Sequence, residues 1–313
     1  MKPISRLAYA PSPTLARAGA LIAVIFWGTS FVATKILLRD LSPIPIVFAR
    51  SALGSLFLTG ILLLRRQPLV PPRDTWKWLA LMGFLGVFLQ QVLQAEALTL
   101  TTAMNTGWLI GLIPLWTAVL ARVFLGERFG PMKLAGLAVG FLGAVVLVSR
   151  GDLSARLLGL PSTRGDLLVL LSTVNWAVYS VLGHGTLRRL GAVRATAGAM
   201  FVGWLFLVPL FLAGHGVQEF ARLSPIAWGS LLFLGLGCSG LGYLFWYGAL
   251  ERIEASRVAA LLYLEPLVTF GAAALILGEE IRPLTLVGGL LVLAGVIVVQ
   301  RAPRAHSPRA PQP

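Results

Sequence analysis

Long apolar runs separated by short polar segments dominate this sequence and limit what it can fold into. Ten runs can be distinguished, at residues 16–38, 45–64, 76–98, 104–125, 132–149, 166–186, 195–214, 226–249, 257–278 and 283–300. Each is close to the roughly 20 residues that an α-helix needs to cross the hydrocarbon core of a bilayer. The sequence therefore predicts an all-α integral membrane protein with ten transmembrane helices, whose first partner is the lipid bilayer.

The overall composition supports this reading and excludes several classes of protein. Only 12% of the residues are charged, about half the share in soluble globular domains. Ten spans of roughly 20 residues leave no room for a separate catalytic domain in 313 residues. The net charge of +14 comes from short clusters between the apolar runs, a pattern typical of topology signals. We therefore expect that the protein has no nucleic-acid partner and is not an enzyme.

The distribution of Lys and Arg predicts how the chain is oriented. With ten spans, 18 of the 26 basic residues fall on one side of the membrane, six fall on the other, and Lys35 and Arg50 fall within spans. Because basic residues are retained on the cytoplasmic side, the excess predicts that both termini are cytoplasmic. The expected location is the inner (cytoplasmic) membrane.

The chain also contains an internal repeat. Residues 76–149 align with 228–301 at an offset of 152 without gaps, and 21 of the 74 positions are identical. Shared Leu means little in a Leu-rich chain, whereas shared Trp, Pro and Gly-Glu are informative. The informative matches are Trp76/Trp228, Gly83/Gly235, Pro114/Pro266, Gly126-Glu127/Gly278-Glu279, Pro131/Pro283, Gly136/Gly288 and Gly143/Gly295.

The first spans of the two halves align as well, at an offset of 149 that pairs Trp27 with Trp176. Five spans per half is an odd number, so the second half enters the membrane from the opposite side. Such inverted repeats are typical of secondary transporters. The expected organisation is an N-terminal tail (1–15), a first repeat (16–150), a periplasmic linker (151–165), a second repeat (166–300) and a disordered tail (301–313).

Several short motifs resemble those of the EamA-type members of the drug/metabolite transporter superfamily. They are Phe26-Trp27-Gly28-Thr29-Ser30-Phe31, Arg50 in the second span, Leu125-Gly126-Glu127-Arg128 after Pro114, Leu264-Glu265-Pro266-Leu267, and Leu277-Gly278-Glu279-Glu280. The resemblance covers residues 16–300. It implies ten spans, cytoplasmic termini, a central cavity and, in many members, export. Related members handle amino acids, other metabolites, drugs and sugar derivatives.

Charged residues inside spans are costly, which makes them candidates for function. Glu265 lies within the ninth span and precedes Pro266, so it could bind a substrate ammonium group or carry a coupling proton. Alternatively, it pairs with a nearby Arg to hold helices together. Arg50 could bind a substrate carboxylate, form a structural ion pair, or extend to the outer interface. For Lys35 we expect extension to the interface.

Polar and aromatic residues near the middle of the spans complete the predicted pathway. Trp27 and Trp176 are candidates for a cavity wall, with helix packing as the alternative. His184 is a second coupling candidate because its pKa suits a proton relay, although a solvated histidine is the simpler reading. The remaining pathway candidates are Thr29, Ser30, Gln94 and Tyr179.

Four further residue groups have structural interpretations. Tyr243, Trp246 and Tyr247 predict an aromatic belt at the inner interface, with a gate as the alternative. Gly235-Leu236-Gly237-Cys238-Ser239-Gly240 matches a dinucleotide fingerprint only formally, because it lies inside a span, and instead predicts close helix packing. The small residues Gly136 and Gly140 also predict close helix packing. For Glu127 and Glu279 we expect capping or turn roles.

The resulting hypothesis is a secondary transporter for small metabolites, with amino acids or related amphipathic compounds first. It would work by alternating access, with export as the family-level expectation and the proton as a candidate coupling ion. A flippase for a lipid-linked sugar is the alternative, followed by a membrane-embedded sensor or enzyme. We expect no cofactor and no metal site, and a monomer or a homodimer.

Overall fold

The computed structural model describes residues 13–125, 129–150 and 160–302. It contains ten helices long and apolar enough to cross a membrane, which confirms the predicted fold class. In chain order they are α1 (Thr14–Leu37), α2 (Pro43–Leu64), α3 (Arg73–Leu100), α4 (Ala103–Phe124), α5 (Pro131–Ser149), α6 (Pro161–Gly183), α7 (Ala192–Ala213), α8 (Pro225–Leu250), α9 (Arg257–Leu277) and α10 (Pro283–Arg301).

Two details of these bounds differ from the sequence-based ones. Helix α6 begins at Pro161, within the stretch expected to be a linker, and the helical backbone continues past the candidate span to Leu190. A short helix, Gly216–Phe220, lies between α7 and α8. The opposite directions of the two halves remain a prediction that follows from the odd number of spans in each.

Helices α3 and α8 occupy equivalent positions in the two repeats and share an irregularity. Each contains a π-helical stretch, Gly83–Leu89 in α3 and Phe233–Gly242 in α8. At the repeat offset of 152 the first stretch falls inside the second. Such stretches rearrange the backbone hydrogen bonds of a helix and often mark functional sites.

Helices α4 and α9 are also equivalent, and both are interrupted at corresponding positions. Helix α4 is regular over Ala103–Ile110 and again over Ile113–Leu125. In α9, a 3₁₀ turn at Leu261–Leu264 separates Ala255–Ala260 from Glu265–Ala272. A proline follows each interruption, Pro114 and Pro266, and removes a backbone donor. Discontinuous helices at corresponding places in two repeats are typical of the substrate site of a transporter.

Glycines allow α5 and α10, the last helices of the two repeats, to pack backbone against backbone. A Cβ placed on Gly295 would lie 2.4 Å from the backbone nitrogen of Gly140, and one on Gly143 would lie 2.6 Å from the carbonyl oxygen of Gly288. The predicted close approach at Gly140 is therefore confirmed. The glycine-rich stretch of α8 behaves in the same way, because a Cβ on Gly235 would lie 2.5 Å from Leu53 Cβ in α2.

Charged side chains cap helix ends where α1, α3, α4 and α9 meet. Lys35 Nζ donates to the carbonyl oxygens of Leu98 and Thr101, at 2.5 and 2.6 Å. It thereby satisfies acceptors at the C-terminal end of α3. Lys35 was expected to extend to the interface, and in the structure its ammonium group binds the otherwise uncapped end of α3.

Glu279 makes the complementary contact at the start of α4. Its two carboxylate oxygens accept hydrogen bonds from the backbone N–H groups of Ala103 and Met104, both at 2.8 Å. A carboxylate at a helix N-terminus also interacts favourably with the helix dipole. The expected capping role of Glu279 is confirmed, whereas Glu127 lies outside the described residues.

A buried carboxylate ties α6 into the same end of the protein. The side chain of Asp166 is fully buried and accepts a hydrogen bond from Thr101 Oγ1 at 2.5 Å. Arg150, directly after α5, approaches Asp166 Oδ2 at 3.6 Å and Thr101 Oγ1 at 3.4 Å. We call Lys35, Thr101, Arg150, Asp166 and Glu279 the polar cluster. It joins the ends of α1, α3, α5, α6 and α9.

The α1–α2 connection is attached to the segment before α8 by a second set of contacts. Ser224 donates from its hydroxyl and its backbone N–H to Asp40, at 2.7 and 3.1 Å, and these hydrogen bonds lower the pKa of the Asp40 carboxyl. Glu219 accepts from the backbone N–H of Ser42 at 2.6 Å. Loops of the two repeats are thus joined at this end of the protein.

The glycine packing predicts a position-specific effect of one added methyl group. Gly295→Ala should lower the free energy of unfolding by about 2 kcal/mol, because its Cβ has no space against α5. Gly271→Ala is the matched control, since a Cβ at Gly271 meets nothing within 4 Å, and it should be neutral or slightly stabilising. Thermal denaturation of the purified proteins in detergent measures both; equal melting temperatures would contradict the packing.

The capping role of Lys35 predicts a second loss of stability. Lys35→Met should cost about 2 kcal/mol, because two carbonyl oxygens lose a charge-assisted hydrogen bond. Lys77→Met, at an exposed lysine, should leave the protein nearly unchanged. The melting temperatures of the two variants make the comparison, and the role would be refuted by a Lys35→Met protein as stable as the control.

Candidate functional site

A central cavity of about 390 Å³ lies between the two repeats. Its lining comes from eight of the ten helices, all except α5 and α7. This volume is at the low end of the range for small-molecule sites, roughly 300 to 1,000 Å³. The cavity therefore suits a ligand of metabolite size.

The two interrupted helices meet at this cavity. Gly111, at the interruption of α4, and Pro266, directly after that of α9, both line it. A Cβ on Gly111 would lie 3.5 Å from Pro266 Cγ, so the interruptions face one another. Irregular backbone at membrane depth is tolerated where it lines a protein cavity, which is where both interruptions lie.

Glu265 is positioned by close contacts between α9 and its neighbours. A Cβ on Gly28 would lie 2.8 Å from Val268 and 3.0 Å from the Glu265 carbonyl oxygen, so only a glycine lets α1 approach here. Thr269 Oγ1 donates to the carbonyl oxygens of Gly28 and Glu265, at 2.8 and 3.0 Å. The contacts fix the backbone of Glu265 and direct its side chain to the cavity.

The carboxylate of Glu265 has no ion pair or hydrogen bond within the described parts of the chain, although it lines the cavity. The alternative of a structural pair with a nearby Arg is therefore not what the structure contains. A carboxylate at this depth without a partner is costly unless something neutralises it. A bound cation or a proton would do so.

Arg50 is the other charged side chain of the lining. Only 9% of it is exposed, so it does not extend to the interface. Its Nη2 lies 3.4 Å from Ser239 Oγ, a long hydrogen bond, and its Nε has no partner. The charged groups of Arg50 and Glu265 are more than 4.0 Å apart and form no ion pair with one another, although both side chains line the same cavity as Cys238.

Aromatic rings form much of the remaining wall. The ring of Trp27 lies 5.5 Å from that of Tyr243 and 5.3 Å from that of Trp246, centroid to centroid. Its repeat equivalent, Trp176, lines the cavity next to Tyr179, with 4.8 Å between their centroids. The prediction of an aromatic belt for Tyr243, Trp246 and Tyr247 was wrong, because all three side chains line the cavity.

Side chains from α1 and α6 bind the π-helical stretches across the repeat boundary. Trp27 Nε1 donates to the carbonyl oxygen of Cys238 at 3.1 Å. Asn175 Nδ2 donates to the carbonyl oxygen of Leu85 at 2.8 Å and to Gln90 Oε1 at 2.9 Å. Each first helix of one repeat thus satisfies a backbone acceptor in the third helix of the other.

The structure brings together most of the residues predicted from sequence. Seven of them line the cavity: Trp27, Ser30, Arg50, Gln94, Trp176, Tyr179 and Glu265. Thr29 is not in the lining, and its hydroxyl donates to the carbonyl oxygen of Ile25 in its own helix at 2.7 Å. The side chain of His184 lies outside the described part of the structure.

Tyr263 and Cys238 are among the lining residues that sequence reasoning missed. The hydroxyl of Tyr263 is buried without a partner. Tyr263 lies two residues before Glu265, in a 3₁₀ turn. A regular helix would predict a lipid-facing side chain at this position, and the turn changes that orientation. Cys238 had been assigned to packing, and its thiol does contact the carbonyl oxygen of Phe26 at 3.2 Å.

This architecture, with ten spans, paired interrupted helices and a cavity between two repeats, defines a polytopic membrane transporter. The profile of the EamA-like transporter family matches residues 15–149 and again 163–301. The chain therefore belongs to the EamA-like transporter family.

Individual relatives agree with this assignment. An uncharacterized transporter of Archaeoglobus fulgidus is 34% identical, over 88% of this chain and 93% of its own. A probable terminal-alkyne amino-acid exporter of Streptantibioticus cattleyicolor is 32% identical, over 90% and 91%. A probable amino-acid metabolite efflux pump of Salmonella typhimurium is 27% identical, over 89% and 92%.

A solved structure shares the fold. It is titled only as the crystal structure of a protein and superposes with a TM-score of 0.63, covering 92% of this chain and 96% of its own, at 21% sequence identity. At that identity the likeness supports the fold alone.

Proposed function

We propose that this transporter moves amino acids or related amphipathic metabolites across the inner membrane by alternating access. The observation that carries the proposal is a cavity of metabolite size whose lining contains one cation and one anion, Arg50 and Glu265, that are not paired with each other. A zwitterion can neutralise both groups at once. Two relatives are named for amino-acid or amino-acid-metabolite export, which supports the same class of substrate.

The shape of the cavity supports an alternating mechanism. Its lining extends to Leu250, the last residue of α8, and to Leu187, near the end of the helix that contains α6. At the opposite end of the protein, the polar cluster joins five helices. A cavity that extends towards one side and is closed by polar contacts on the other is one of the two states that alternating access requires.

The excess of Lys and Arg assigns sides to these two ends. If both termini are cytoplasmic, Leu187 and Leu250 lie near the cytoplasm and the polar cluster lies on the outer side. The described conformation is then inward-open, ready to take substrate from the cytoplasm. This direction agrees with export, which the names of the two relatives also support.

Glu265 is the coupling site in this proposal. A buried carboxylate is more easily kept when neutral, either protonated or paired with a cation. Binding of a substrate ammonium group would therefore compete with binding of a proton. Such competition would couple export of the substrate to entry of a proton. His184 remains a second candidate for the proton pathway.

Counterflow in proteoliposomes tests the proposal. Vesicles are loaded with an unlabelled amino acid and diluted into the labelled one, for each of the twenty in turn. Transient accumulation of at least one is expected. If none accumulates while the reconstituted protein is folded, the amino-acid hypothesis fails, and a lipid-linked sugar flippase becomes the next hypothesis to test by lipid scrambling.

Removal of one charge provides a sharper test. Glu265→Gln should abolish counterflow, because the uncharged amide neither exchanges a proton nor neutralises an ammonium group. Glu251→Gln is the matched control, at an exposed carboxylate, and should transport normally. Size-exclusion chromatography and melting temperature establish that both variants are folded. Normal counterflow by a folded Glu265→Gln protein would exclude a role in transport.

A further inference from the structure

The guanidinium group of Arg50 is held in the wall of the cavity with most of its donors unused. It is 9% exposed, its Nε has no partner, and its single described hydrogen bond, to Ser239 Oγ, is 3.4 Å long. A guanidinium group carries five N–H donors and does not lose its charge. Burying such a group without an anion is costly, so its surroundings favour an anion that arrives from the cavity.

The packing around Arg50 holds it in place. Arg50 lies one helical turn from Gly54, where α2 and α8 cross so closely that a Cβ on Gly54 would lie 2.7 Å from Ser239 Cβ. Ser239 is itself buried and is the residue that Arg50 contacts. A binding group on packed helices keeps its geometry better than one on a loop. Arg50 is therefore a fixed point in the wall.

Amide and hydroxyl groups surround the same position. Ser30, Gln91 and Gln94 line the main cavity with Arg50, and together the four also line a small adjoining void of about 10 Å³. Glutamine amides can donate to oxygen lone pairs that a guanidinium group leaves free. This group, Ser30, Arg50, Gln91 and Gln94, is termed the arginine pocket.

Charge balance decides which anion suits the arginine pocket. Carboxylate and phosphate both match the fork of a guanidinium group. However, Glu265 lines the same cavity, and a phosphate monoester would bring nearly two negative charges beside it. A monovalent carboxylate whose own molecule carries an ammonium group leaves the cavity neutral. A zwitterion is therefore favoured over a phosphorylated metabolite.

We propose that Arg50 is a specificity-determining residue that binds the carboxylate of the substrate and makes the transporter select α-amino acids over the corresponding amines. The proposal rests on the proposed function and adds to it the group by which the substrate is recognised. The ammonium group then faces Glu265, and the side chain lies against the aromatic wall formed by Trp27, Tyr243 and Trp246.

The test compares substrates that differ only in the carboxylate. Labelled L-leucine and L-phenylalanine serve as probes for counterflow, and each is challenged with itself, with its amide, or with its amine (isoamylamine or phenethylamine). In the wild-type protein, the amino acid should compete about 10- to 100-fold better than the amine or the amide, the range expected for a lost charge-assisted hydrogen bond.

Two variants separate recognition from folding. Arg50→Gln should remove the preference, so that the amino acid and the amine compete equally, and Arg50→Lys should restore part of it through the charge alone. Arg39→Gln, at an exposed arginine, should leave the preference unchanged. A merely structural role for Arg50 would lower competition by both compounds and keep their ratio. If Arg50→Gln no longer transports, the ratio of amino-acid to amine competition is measured instead by binding to the detergent-purified protein.

The outcomes distinguish this proposal from the proposed function. Equal competition by amino acid and amine in the wild-type protein would overturn the role of Arg50 while leaving amino-acid transport intact. A preference that survives Arg50→Gln would do the same. Absence of counterflow and of binding for amino acids and amines alike, in folded protein, would overturn both.

Discussion

Backbone hydrogen bonding in lipid is the constraint on which the rest of this structure depends. Within the hydrocarbon core every N–H and C=O group must find a partner in the protein, because there is no water to supply one. Eight of the ten spans nevertheless contribute to a cavity, and four of these, α3, α4, α8 and α9, are irregular. The irregular segments are tolerated because their backbone groups form hydrogen bonds with other helices or face the cavity.

The same constraint explains how the two repeats are joined. Trp27 of α1 reaches the carbonyl oxygen of Cys238 in α8, and Asn175 of α6 reaches that of Leu85 in α3. At helix ends, Glu279 of the second repeat binds backbone N–H groups of α4 in the first, and Lys35 caps α3 within its own repeat. Contacts at mid-depth thus shape the cavity, whereas contacts at the helix ends close it on one side.

Sequence patterns were sufficient for the features that follow from hydropathy and symmetry. The ten spans, the two repeats, the close approach at Gly140 and the capping by Glu279 could all be predicted, because each depends on local composition or on a comparison of the halves. The cavity position of Glu265 and Arg50 could be anticipated for a similar reason: charges in apolar spans have few other places to lie.

The remaining features required knowledge of which helices are neighbours. Lys35 could not be assigned to the end of α3 from its own span, since extension to the interface is equally consistent with the sequence. Tyr243 and Trp246 resembled a belt because a regular α8 would place them near its end, whereas the π-helical stretch before them is invisible to hydropathy. Tyr263 depends in the same way on the 3₁₀ turn that interrupts α9.

Alternating access to the cavity is the central claim, and sided labelling tests it most directly. Gln91→Cys is introduced into a Cys238→Ser background and exposed to a membrane-impermeant maleimide from either face of oriented proteoliposomes. The thiol should react from both faces. Weakening the polar cluster with Lys35→Met should raise the rate from the outer face and lower it from the cytoplasmic face, because the populations of two exclusive states are reciprocal. Reaction from one face only, or rates that rise together on both faces, would contradict the account.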